Sequence, residues 1–150
     1  MLQRMTSLTL LTISLLSGCQ TGDDLLADPS DPVSVSGPTA SAIAGDMASR
    51  FAEQLRPAET TIFTMDKDTS EYAAALEAAL KGWGYSILID EKVSTDSKPI
   101  EIAWSIDRFD GYILARVSTP TVAIGRAYTP TSAGAIPASP LSVMRRNGGR

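Results

Sequence analysis

At Gly84 the spacing of apolar residues changes, and that change narrows the folds open to this chain. Before it, apolar residues recur every three to four positions, the period of a helix face. After it they alternate with polar residues, the period of a strand with one face on a core. Helices followed by a run of strands indicate an α+β domain. The expected fold is two helices packed on one face of a mostly antiparallel sheet.

From Ser41 to Leu55, the residues Ile43, Met47, Phe51 and Leu55 recur at four-residue spacing, flanked by Ala44, Ala48 and Ala52. Thr39 or Ser41 can cap this helix, and Pro57 stops it. A threonine-rich strand, Thr60 to Met65, follows. Asp68 and Glu71 have the spacing of a capping box for a second helix, in which Tyr72, Leu76 and Leu80 share a face. Gly82 and Gly84 flank Trp83 where that helix ends.

Tyr85, Ile87 and Ile89 then alternate with polar or outer residues. So do Ile100, Ile102, Trp104 and Ile106, opposite Glu101, Ala103, Ser105 and Asp107. Asp110-Gly111 is a favoured pair for a tight hairpin. Tyr112 to Thr119 returns, Pro120 breaks the chain, and Thr121 to Tyr128 forms a further strand. Val122, Ile124 and Arg126 lie on one of its sides, and Gly125 marks a bulge or a close-packing point. Residues 129–150, rich in Pro, Ala, Ser and Gly, read as an irregular tail, with Leu141, Val143 and Met144 placed to dock part of it.

The first residues are of another kind. Arg4 precedes a short apolar run, Leu8 to Leu16. A transmembrane helix needs roughly 20 apolar residues, so this run reads as a secretory signal. It ends in Leu16-Ser17-Gly18-Cys19, a lipobox, which places cleavage between Gly18 and Cys19 and a diacylglycerol on the Cys19 thiol. Cys19 is the one cysteine of the chain. Each buried methylene of an acyl chain contributes ~0.8 kcal/mol, and two or three chains anchor stably. Gln20, in place of an aspartate, favours the outer membrane with the domain facing the periplasm. Pro29, Pro32 and Pro38 mark a flexible tether with a reach of ~60 Å at most, at ~3.1 Å per residue. The expected organisation is a cleaved signal peptide (1–18), a lipidated N-terminus and linker (19–40), an α+β periplasmic domain (41–128) and the tail (129–150).

Composition excludes much chemistry. No histidine is present, which removes the commonest general base and the usual zinc sites. With 13 Lys+Arg against 17 Asp+Glu the net charge is -4, so direct nucleic-acid binding is not expected. One cysteine allows no intrachain disulfide or iron–sulfur ligand set.

Carboxylates are the remaining candidates. Glu101 and Asp107 share a strand face but lie about 20 Å apart at ~3.3 Å per residue, whereas paired catalytic acids sit roughly 5 to 9.5 Å apart. Asp110 lies in the turn beyond them. Asp66, Asp68 and Glu71 lack the spacing of a calcium loop, and capping explains the last two. Gly82-Trp83-Gly84 ends a helix instead of opening one, so it cannot cradle a phosphate. Arg145, Arg146 and Arg150 read as solubilising charges, and Trp83, Trp104, Tyr72 and Tyr85 as core aromatics. No catalytic residue, metal site or cofactor site is expected, apart from the covalent lipid on Cys19.

The early lipobox, Leu55-Arg56-Pro57 with its threonine strand, and Leu80-Lys81-Gly82-Trp83-Gly84-Tyr85 occur in order. Trp104-Ser105-Ile106-Asp107 and Gly125-Arg126-Ala127-Tyr128 follow. In this order and spacing the chain resembles the TrbH family, lipoproteins of plasmid conjugation. In the tail it departs from the family, with Pro140-Leu141-Ser142 where a tryptophan is often found. The resemblance implies a non-enzymatic lipoprotein of a type IV secretion, or mating-pair-formation, apparatus. It also implies that the partners are other subunits of the outer-membrane core complex. Two rival readings are a pilot or assembly factor of another envelope machine, and a carboxylate-only hydrolase. The second needs Glu101, Asp107 or Asp110 beside another acid in a cleft.

Overall fold

The computed structural model describes residues 34–35, 37–58, 61–89 and 98–146. The signal peptide, the cleavage site at Gly18, the lipidation site at Cys19 and most of the linker lie outside the described residues, as does Arg150. The elements are α1 (Gly37–Gln54), β1 (Ile62–Met65), α2 (Glu71–Gly82), β2 (Ser86–Ile89), β3 (Ile100–Glu101), β4 (Ala103–Phe109), β5 (Tyr112–Ser118), β6 (Val122–Thr131), β7 (Gly134–Pro137) and β8 (Ser142–Arg145). This is an α+β fold with two helices on a mostly antiparallel sheet.

The first helix begins earlier than its apolar repeat, at Gly37 instead of Ser41. Pro38 falls in its first turn, where a missing N–H removes no helical hydrogen bond. Val35 is already buried, so the folded part reaches back into the stretch read as linker. Ile43, Met47 and Phe51 are fully buried as the spacing requires, and Ala40, Ala44 and Ala48 let neighbouring elements approach closely. Thr39 is buried and donates to the Gly134 carbonyl at 3.1 Å.

The second helix is capped by Ser70, whose Oγ accepts from the Ala73 N–H at 3.2 Å. Asp68 was the residue expected in that role. Its carboxylate instead accepts from the Ser70 N–H at 2.6 Å, an Asx-type turn that delays the start by two residues. Glu71 thereby becomes the first helical residue and not the third.

β1 lies between β2 and β3 and is parallel to both, with Phe63 beside Ile87 and Ile100. β4, β5 and β6 form an antiparallel meander, and β7 and β8 share the far edge of β6 end to end. The strand expected to run unbroken from Ile100 is interrupted at Ile102, where it changes partners. The Ile102 N–H donates to the Thr64 carbonyl at 2.8 Å, so one stretch of chain serves both sheets. The β4–β5 hairpin turns at Asp110 and Gly111 with φ of 49° and 80°. Two left-handed residues make the turn whose twist matches that of the strands. Register between β5 and β6 is continuous through Arg116 and Gly125, so Gly125 is not a bulge.

Residues 129–146 correct the expectation of an irregular tail. β6 runs on to Thr131, and β7 and β8 follow. Low strand propensity misleads here, because the unpaired edge of β6 supplies the backbone partners these residues lack locally. α1 also holds β7 directly. A Cβ on Gly134 would stand 3.2 Å from the Pro38 carbonyl oxygen and the Ala42 Cβ, at a φ of 148°, so only glycine fits without displacement.

The core lies between the helices and the inner sheet face. Phe63 packs edge to face on both Phe51 and Tyr85, and Phe51 meets Tyr85 at a tilt, with ring centroids 5.4 to 6.5 Å apart, joining α1, β1 and the entry to β2. Tyr85 Oη donates to the Leu55 carbonyl, fixing the end of α1.

Candidate functional site

The principal polar cluster joins α1 to β6 and to the segment after β7. Asp46 Oδ2 accepts from Tyr128 Oη at 2.6 Å and from Arg126 Nη1 at 3.0 Å. Arg50 Nε approaches Oδ1 at 3.4 Å. Arg126 Nε also donates to the Ser139 carbonyl at 2.9 Å, and Ser139 Oγ accepts from the Ala127 N–H at 3.0 Å. One guanidinium therefore ties helix, strand and edge segment together. Burial lifts the Asp46 carboxyl, but the bonds from Tyr128 and Arg126 and the charges of Arg126 and Arg50 outweigh it. The group is held below its ordinary value. Tyr128 is pushed up, first by burial and then by the Asp46 carboxylate. These bonds fasten α1, β6 and the segment after β7 to one another.

Arg126 is the sequence signal of this cluster. Arg126 falls on the strand side shared with Val122 and Ile124, and a cation on a core-facing position requires an acid. Asp46, on the neighbouring helix, is that acid.

The candidates named from sequence are scattered. Glu101 and Asp107 are exposed at the same strand parity, on either side of the break at Ile102. Asp107 accepts from Ser105 Oγ at 3.3 Å, and the trough beside it is lined by no second acid. Asp110 forms the turn. Asp68 and Glu71 open α2 and border a cleft of about 310 Å³ with Tyr72, Trp104 and Ile106. Among the described residues no three His, Cys, Asp or Glu side chains are grouped to hold a metal ion. Arg145 donates to Gln54 Oε1 at 3.0 Å, a tie from β8 to α1.

The aromatics divide. Tyr72 and Tyr85 are buried, and Trp104 packs on Tyr72 with centroids 5.2 Å apart. Burial pushes the Tyr85 phenol up to about 12. Trp83, expected in the core, is 50% exposed. It is the C-cap of α2, past the last residue whose direction the helix sets, and rests at the rim beside Arg56 and Pro57.

The outer face of the antiparallel sheet is different in character. Phe109, Tyr112, Leu114, Ile136 and Met144 are exposed there. Gly125 and Ala127 leave a trough of about 390 Å³ between Leu114 and Arg116 on one side and Ser139 to Ser142 on the other. No helix among the described residues is long and apolar enough to cross a membrane.

The described residues thus form an α+β domain fastened by a half-buried ion pair and presenting a broad sheet surface. The family model described as "Conjugal transfer protein TrbH" matches residues 21–147. A relative from Sinorhizobium fredii (strain NBRC 101917 / NGR234), described as "Probable conjugal transfer protein TrbH", is 57% identical over 143 residues. The match covers 93% of this chain and 97% of that one. The chain belongs to the TrbH family of conjugal transfer proteins. No solved structure matches it.

Proposed function

We propose that this chain is an outer-membrane-anchored lipoprotein subunit of a conjugative type IV secretion apparatus, with a structural or assembly role and no catalysis. The observation that carries the reading is Leu16-Ser17-Gly18-Cys19 directly after a short apolar run, on a chain of a conjugal transfer family. Lipid on Cys19 holds the N-terminus at the membrane, and the proline-bearing segment gives the domain reach. The domain then docks on other core-complex subunits through a strand edge. All four residues of β8 are exposed, and β8 pairs only with β6 among the described residues. Its outer edge is open to strand addition.

The test is plasmid transfer and membrane fractionation in a deletion strain complemented with wild type or Cys19→Ser. The expected result is that the variant leaves the outer membrane and transfer collapses. Full transfer by an unanchored variant overturns the anchor. Undiminished transfer on deletion overturns the assignment to the apparatus itself.

A further inference from the structure

We infer that the outer face of the antiparallel sheet is a self-association surface, and that its occupant is a second copy of this chain. Residues directly paired across strands share a face. Ile106, Ile113, Val117 and Ile124 are buried toward the helices, so the alternate positions point outward. No described element covers them.

Charge on this face identifies the occupant. Asp107 and Arg116 are the only charged residues at outward positions of β4 to β8. The chain as a whole carries -4, which opposes association of two copies, but this face is neutral. No ion pair joins the two residues within the chain. Among the described residues Asp107 meets only Ser105 Oγ, and Arg116 has no hydrogen-bond or ion-pair partner. Leu114 lies between them, directly across from Asp107 and two residues before Arg116.

A two-fold interface needs a patch that complements itself. Here Asp107 of each copy meets Arg116 of the other, and the Leu114 side chains meet near the axis. The trough floored by Gly125 and Ala127 receives the apolar projections of the facing sheet. The surface is the face of the sheet, whereas the contact proposed with other subunits uses the backbone edge of β8. Its test needs neither the lipid nor the transfer apparatus.

Two differently tagged full-length copies are co-expressed in a strain without other transfer genes, and capture of one by the other is measured. Wild-type copies are expected to capture each other. Asp107→Arg with itself, or Arg116→Asp with itself, should lower capture about tenfold or more, because both reciprocal pairs become like-charged. Co-expressing Asp107→Arg with Arg116→Asp should restore it, since each mixed pair is again opposite in sign. That recovery also shows that both variants fold. Absence of wild-type capture overturns the inference, and so does single-variant capture at the wild-type level. Loss without recovery in the mixed pair also overturns it.

Discussion

Ile113 and Leu114 are consecutive residues of β5, similar in size and composition, yet one is 0% and the other 40% exposed. Ile113 points between the helices, beside Tyr128 of β6. Leu114 points away from them, beside Ala127 and Asp107. The same backbone ladder thus carries a face that holds the fold and a face that the fold does not use. A small domain has little apolar surplus, so apolar side chains left on one face are informative about association and not about stability.

The contrast can be broken first from the inside. Ile113→Ala in the full chain should lower stability by about 3 kcal/mol, the transfer term plus the cavity left in the core. Urea unfolding followed by tryptophan fluorescence measures it. Asp46→Ala should cost about 2 kcal/mol, because it strands the Tyr128 hydroxyl and the Arg126 guanidinium at a partly buried site.

The same cluster sets a pH dependence. The folded Asp46 carboxyl titrates below its ordinary value, so its contribution is complete above about pH 4 and is lost as pH falls through the folded-state value. Asp46→Asn should flatten the acid limb of the stability profile. Tyr128 runs the other way. Its folded value is raised, so its contribution is complete below about pH 10 and is lost as pH rises beyond that.

Ser70→Ala should cost about 1 kcal/mol, the worth of an N-cap, whereas Asp68→Ala should cost less. Smallest of all, Leu114→Ala should change the stability of the single copy, measured at concentrations too low for association, by no more than about 0.5 kcal/mol. A large loss there would show that the outer face is covered within the chain and would erase the contrast.

Much of the fold was legible. The two helices follow from Ile43, Met47, Phe51 and Tyr72, Leu76, Leu80, and the hairpin from Asp110-Gly111. What could not be read is which strands meet. Parallel pairing of β1 with β2 and β3 depends on residues distant in sequence and leaves no local mark. β7 and β8 escaped because Pro137 and Pro140 suggest a break. At a sheet edge a proline omits only a bond that has no partner. The Asp46–Arg126–Tyr128 cluster was half visible. Arg126 was placed on the correct side of its strand, but its acid lies on a helix that the strand pattern does not mention.

The change of partners at Ile102 has a consequence in time. β4 and β5 are joined by a two-residue turn and can pair early, since little chain must be ordered to bring them together. β1 reaches β3 only by closing a long loop that includes all of α2, at a higher entropic cost. Because β3 and β4 are one stretch of chain, the finished hairpin presents Ile100 and Glu101 as a template already extended. The distant strand is then expected to dock last, an order that folding rates of variants at Phe63 and Ile113 would test.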